Sequence, residues 1–271
     1  MNKLLRLEAF FAELGTVAVA FSGGVDSTLL TVVAARVLKE KALAITVHAP
    51  YIPDWEVHEA KELAKAQGVV HHILELAVPD TVLDNPADRC YLCKREVFSN
   101  ILRHAHKHGF NTVADGTNAD DSKDYRPGLR ALAELGIKSP LQQLGITKED
   151  VRSLSRELGL PTWNKPPYAC LLTRLPYGTR LQEGDFRQIE AAEVFMMQLG
   201  FRAVRVRKFG DLAKIEVDRE SLPTLLHMEL FDCIATAFRE LGFSHVTLDM
   251  SGYRTGSMND QLKLGEVAKV N

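Results

Sequence analysis

The sequence predicts an α/β protein: a doubly wound parallel sheet with helices over residues 1–165, then a smaller α+β domain over 166–271. Three observations carry this. Through the first half, short apolar, β-branched runs alternate with helix-length segments, as strands buried under helices do. A Pro-rich stretch, PTWNKPP at 161–167, then ends the alternation. Beyond it, two short runs flank Phe209-Gly210 and read as a hairpin.

The elements follow in order. Residues 16–21 (TVAVAF) form a buried strand, the glycines at 23 and 24 a turn, and 28–38 a helix. Residues 42–47 are a second strand, 54–67 a helix and 69–76 a third strand. A long helix covers 89–109, a short strand 112–114, and a helix 127–136. The helix over 147–159 opens on Thr147 and Asp150 in a capping-box spacing and stops at Gly159. In the second domain, 183–199 is a helix, and 203–208 a half-exposed strand alternating Val204, Val206 with Arg205, Arg207. Residues 211–217 are its partner, 221–242 one helix and 245–249 a last strand.

Composition narrows the function. With 271 residues, 46% apolar and 25% charged, the chain is an ordinary globular one, neither disordered nor fibrous. No run of 18 apolar residues exists, so no membrane span is expected. Charges interrupt the apolar residues of the first fifteen, which read as an amphipathic helix rather than a signal peptide; a cytoplasmic address is expected. The net charge of −2 weighs against nucleic acid as a partner.

The strongest chemical signal is SGGVDS at 22–27, between a buried strand and a helix. Gly23 and Gly24 allow a tight turn, and the helix start offers unpaired N–H groups and a positive dipole end to a phosphate chain. The Ser22 and Ser27 hydroxyls add donors, and Asp26 can hold a magnesium ion bridging phosphates. The motif is neither the G-x-x-x-x-G-K-[ST] loop nor the dinucleotide G-x-G-x-x-G. It resembles the PP-loop of the ATP pyrophosphatases, which cleave ATP between the α and β phosphates. That resemblance implies a doubly wound sheet with the nucleotide at the carboxyl ends of the strands, where Asp115 and Gly116 of DGTN at 115–118 fall.

Cysteines add a second signal. Cys90 and Cys93 stand three apart at the start of a helix, on one face; the pair suits zinc, an iron–sulfur cluster or plain packing. Cys170 lies in a segment rich in proline and rings, and Cys233 in an apolar helix face, where it reads as core.

Further stretches make a resemblance specific: DYRPG at 124–128, WNK at 163–165, RLPYG at 174–178, AAE at 191–193, VRVR at 204–207 and GYRTGSMN at 252–259. With SGGVDS they resemble the LarE family, ATP-dependent sulfur transferases of nickel-pincer nucleotide cofactor biosynthesis, along nearly the whole chain. The resemblance implies that a carboxylate of pyridinium-3,5-biscarboxylic acid mononucleotide is adenylated, with release of pyrophosphate, and replaced by a thiocarboxylate. One branch of the family sacrifices a cysteine sulfur; the other holds a 4Fe–4S cluster on three cysteines, and Cys90, Cys93 and Cys170 match that branch. Under this reading Ser22, Gly23, Gly24, Asp26 and Ser27 hold ATP and Mg2+, and Asp26 and Cys170 are catalytic. Arg205 and Arg207 clamp the substrate phosphate, Arg174 assists, and Glu193 occupies a family position. The implied partners are the nucleotide substrate, other enzymes of the same cofactor's synthesis and a second copy of the chain. A cluster-dependent tRNA thiolase and an amidotransferase or synthetase with the same loop are the alternative readings.

Overall fold

The computed structural model describes residues 2–123 and 127–254; residues 124–126 of DYRPG and 255–259 of the last motif lie outside the described residues. The chain divides into two compact units, Met1–Thr81 with Asp88–Tyr168, and Val82–Ala87 with Ala169–Asn271.

In the first unit, α1 (Lys3–Leu14) leads to β1 (Val17–Ala20), α2 (Val25–Leu38), β2 (Ala42–His48), α3 (Asp54–Ala66) and β3 (Val70–Glu75). Then come α4 (Arg89–Lys107), β4 (Val113–Ala114), α5 (Gly128–Glu134), α6 (Pro140–Gln143) and α7 (Lys148–Glu157). The four strands form the parallel sheet that the sequence predicts, in the order β3-β2-β1-β4. β1 and β2 are buried along almost their whole length, which explains their unbroken apolar character. Leu7 and Phe11 of α1, Leu29, Leu30 and Val33 of α2, and Val151 and Leu154 of α7 close over Val17 and Val19.

The two sheet faces can be told apart at β3. His71 meets Thr46 and the ring of Phe21, which clusters with Ala60 and Ala64 of α3, whereas His72 meets His104 of α4. Successive strand side chains point to opposite faces, so α3 and α4 cover opposite sides of the sheet. The walk from β1 to β2 to β3 runs one way, and β4 then returns to the far side of β1. The carboxyl ends of β1 and β4 therefore flank the reversal point where such sheets bind ligands.

The second unit carries α8 (Glu183–Gln198), β5 (Val204–Phe209), β6 (Leu212–Val217), α9 (Leu222–Leu225), α10 (Met228–Glu240) and β7 (His245–Leu248). β5 and β6 pair antiparallel from Val204↔Val217 to Phe209↔Leu212, around Gly210 in the left-handed region (φ 61°), and β7 adds parallel to β6. Ala192 and Met196 of α8 and Ile234 and Phe238 of α10 pack over Val204, Val206, Ile215 and Val217. The short segment Val82–Ala87 is tied in by Asn85, whose amide donates to the carbonyls of Leu175 (3.2 Å) and Pro176 (2.7 Å). Asn85 takes a positive φ of 48°, a conformation asparagine tolerates better than most side chains.

Three expectations need correction here. The strand over 203–208 is not half exposed: Val204 through Arg207 are all buried, with Arg207 on the Glu216 carboxylate and Arg205 against the Tyr253 ring. The helix over 221–242 breaks at Leu226-His227, where His227 adopts extended backbone and caps α10. Cys233 is exposed rather than core. The buried stripe of α10 runs through Ile234 and Phe238, four apart, and the 100° step of a helix turns Cys233 away from it. Accordingly Phe238→Ala should cost about 3–5 kcal/mol of stability, and Cys233→Ser less than about 0.5 kcal/mol, both read from urea unfolding of the full chain.

Candidate active site

The turn after β1 leaves no freedom at its first glycine. Gly23 has φ 68°, and a Cβ there would stand 3.2 Å from the Cα and Cβ of Ala60 on α3. Gly24 caps α2, whose first internal bond is the Thr28 N–H to the Gly24 carbonyl (3.0 Å). Helix geometry leaves the N–H groups of Val25, Asp26 and Ser27 without intrahelical acceptors. The Ser27 hydroxyl accepts from the Ser22 N–H (3.2 Å) and lies 3.1 Å from the Ser22 hydroxyl. These bonds tie the two ends of the SGGVDS segment together across the turn.

β4 brings the other wall. A Cβ on Gly116 would stand 3.0 Å from the Ser27 nitrogen and 3.2 Å from the Asp26 Cβ, so the backbone after β4 lies directly on the first turn of α2. Asn118, from the same segment, donates its amide to Asp26 Oδ1 (3.1 Å). Asp115 is buried and accepts from Ser139 (2.6 Å) and Thr117 (2.5 Å), with the Lys94 ammonium 3.9 Å away. Its carboxylate ties the DGTN segment to Ser139, just before α6.

Lys148 ion-pairs with Asp26 Oδ2. A lysine at the first position of α7 opposes the helix dipole and needs a reason. Around it the helix start is held firmly: Thr147 and Asp150 form a complete capping box, and the Lys148 N–H donates to Asp120 (2.9 Å). Hydrogen bonding from Lys3 holds the Asp150 carboxyl at about 2, below the ordinary carboxylate range. Lys165 adds a second cation, its ammonium 3.1 Å from the Gly23 carbonyl and 2.6 Å from Glu59. Arg152 of α7 holds that segment through the carbonyls of Trp163 (2.7 Å) and Lys165 (3.0 Å). Neither Lys148 nor Lys165 is assigned a role by sequence reasoning; the readable clue is a cation at the N-terminus of a capped helix.

Cys90 and Cys93 sit in the first turns of α4, Cys90 exposed and Cys93 half buried. Burial pushes the Cys93 thiol up, while its contact with the Tyr51 hydroxyl (3.5 Å) acts the other way.

In the second unit the expected residues gather around the turn Leu171–Arg174, which Cys170 precedes. The Arg174 fork is bidentate on Glu193 of α8 (2.7 and 3.1 Å), and the Glu193 carboxylate also accepts the Val206 N–H (2.9 Å). Arg207 donates to Glu216 (2.7 Å) and to the Thr173 carbonyl (2.7 Å). Thr173 and Arg174 side chains donate to the Cys170 carbonyl (2.9 and 3.5 Å), which fixes the backbone at the thiol. Arg205 lies 5.1 Å from the centre of the Tyr253 ring. Glu193 is thus no surface helix residue; it is buried with its arginine.

A reversed parallel sheet, an SGGVDS loop opening onto a helix and a doubly held aspartate define an ATP-using enzyme of the PP-loop class. A family model described as asparagine synthase matches residues 13–120. An uncharacterized protein of Synechocystis sp. is 40% identical over 261 residues, 95% of this chain and 97% of its own length. The pyridinium-3,5-bisthiocarboxylic acid mononucleotide synthase of Lactiplantibacillus plantarum is 38% identical over 270 residues, 98% of this chain and 97% of its own. A tRNA-specific 2-thiouridylase of Trichlorobacter lovleyi is 28% identical over 205 residues, 62% of this chain. The chain belongs to the LarE family, that of the pyridinium-3,5-bisthiocarboxylic acid mononucleotide synthases. Among the described residues no helix is long and apolar enough to cross a membrane.

Two outcomes test this geometry. Gly116→Ala should weaken ATP binding by about tenfold, a loss of about 1.4 kcal/mol, without unfolding the chain, as read by nucleotide titration and circular dichroism. Glu193→Ala, which strands the buried Arg174 charge, should cost about 3–5 kcal/mol in urea unfolding.

Proposed function

We propose that this enzyme is an ATP-dependent sulfur transferase of nickel-pincer nucleotide cofactor synthesis. It adenylates the carboxylates of pyridinium-3,5-biscarboxylic acid mononucleotide and converts them to thiocarboxylates. The reading is carried by the glycine-tight phosphate loop with Asp26 held by Lys148 and Asn118, in a chain matched from end to end by a synthase of that name.

In the first step a substrate carboxylate oxygen attacks the α-phosphorus of ATP. The bond from that phosphorus to the bridging oxygen breaks and pyrophosphate leaves with the electron pair. The N–H groups at the start of α2 and the hydroxyls of Ser22 and Ser27 receive the leaving charge. Asp26 would hold Mg2+ against the phosphates: it is a carboxylate in the first turn of α2, already oriented from both sides. The Lys148 and Lys165 ammonium groups add positive charge at the loop. Adenylation replaces a poor leaving oxygen with AMP, so a sulfur nucleophile can then displace it at the acyl carbon.

Cys90 and Cys93, two thiols one helical turn apart and outside any disulfide, fit two ligand positions of a thiolate-held cluster, and Cys170 is the third ligand in this reading. When bound, a 4Fe–4S cluster on three thiolates supplies one iron open to sulfide. The buried Arg174 and Arg207, fixed by Glu193 and Glu216, hold the segment that bears Cys170. Arg205 and Arg207 are the residues assigned to the substrate phosphate.

Asp26→Ala should abolish pyrophosphate release in the presence of the biscarboxylate while leaving the circular dichroism spectrum unchanged; undiminished release removes the loop assignment. Anaerobically prepared protein should contain iron and sulfide that Cys90→Ala eliminates, whereas stoichiometric zinc in their place rules the cluster out. The mass of the Cys170 peptide should be the same before and after turnover; a loss of about 34 mass units would mean that its own sulfur is consumed.

A further inference from the structure

Away from the phosphate loop, three imidazoles meet between the sheet edge and the far end of α4. His72 projects from β3 toward α4, opposite in sense to His71. His104 lies in the last turn of α4, and His108 caps that helix four residues later. One ring nitrogen from each falls within 4.8 Å of the other two. His72 Nδ1 and His104 Nε2 are 3.0 Å apart, and the three ring centres are 4.4–5.3 Å from one another.

We propose that His72, His104 and His108 form a binding site for a borderline divalent transition-metal ion, with Zn2+ as its type, distinct from the ATP loop and from the cysteines. Two histidines at i and i+4 on a helix and a third from a facing strand are a donor set such ions favour. Tetrahedral nitrogens at about 2.1 Å from zinc lie about 3.4 Å apart, so the present cluster needs only side-chain rotation to close.

The tautomers suit this. His108 Nδ1 lies 2.8 Å from the His104 carbonyl, so its proton sits there and Nε2 keeps its lone pair outward. His72 and His104 share one proton in a nitrogen-to-nitrogen bond; shifting it to the remote nitrogen of the ring that donates it frees both facing lone pairs, with no net change of charge. Burial, and then neighbouring imidazoles, hold His72 and His104 below the ordinary histidine range, with Lys107 pressing His104 further down. Three protein ligands leave a fourth position for water or an external group.

The site is remote from Cys90 and Cys93 on the same helix. Eleven residues of helix separate Cys93 from His104, about 16 Å along the axis. An ion there would fasten β3, an edge strand with exposed Val70 and Ile73, to α4. The inference does not depend on the sulfur-transfer reading.

The test is calorimetric titration of ZnCl2 into full-length protein in which all four cysteines are serine, which removes the competing thiolates. One ion per chain is expected to bind, with Co2+ giving the visible bands of a nitrogen-ligated ion and raising the melting temperature. His108→Ala, an exposed position that leaves packing intact, should weaken binding by about 10- to 100-fold, and His104→Ala should do the same. Unchanged affinity in both variants, or no binding of Zn2+ at about millimolar concentration, overturns the proposal. An unaltered Asp26-dependent pyrophosphate release in His108→Ala separates this outcome from failure of the catalytic reading.

Discussion

The candidate active site depends on one backbone contact: the segment after β4 rests on the first turn of α2, so closely that a Cβ at Gly116 would stand 3.0 Å from the Ser27 nitrogen. The contact exists because the strand order reverses at β1, which puts β4 beside it. From it follows the reach of Asn118 to Asp26, and across the loop the capped start of α7 delivers Lys148 to the same carboxylate. An aspartate held from two sides has little side-chain freedom left to lose, which is what preorganisation means.

The second unit follows a different rule. Its chemistry-bearing residues are held by buried ion pairs rather than by close backbone approach. Glu193 joins α8 to the Arg174 turn and also, through the Val206 N–H, to β5. Glu216 is wholly buried and takes both Arg207 and Lys214. Such pairs add little net stability over apolar packing but cost heavily when one partner is removed. They therefore specify a geometry more than they strengthen a fold.

The first unit was legible in its sequence because period and punctuation agree there: buried strands read as unbroken apolar runs, and Gly23, Gly24 and the Thr147 capping box mark helix starts. The second unit was less so. The alternation of Val204, Arg205, Val206 and Arg207 is the pattern of a strand with one wet face, and the groups that cover its arginines, Glu216 of β6 and the Tyr253 ring, come from elsewhere in the chain. Cys233 differs from the buried stripe of α10 by one residue, a distinction that apolar composition alone blurs. Lys148 escaped because its partner lies 122 positions earlier.

The placement of Val82–Ala87 has a practical side. The polypeptide passes from one unit to the other at three points rather than one. A fragment beginning at residue 169 would lack the Asn85 amide that the Leu175 and Pro176 carbonyls accept, and a fragment ending at 168 would carry that strap with nothing to fasten. Neither half can be excised as a continuous stretch of gene without cutting into the other, so dissection of this enzyme requires point substitutions or a permuted chain.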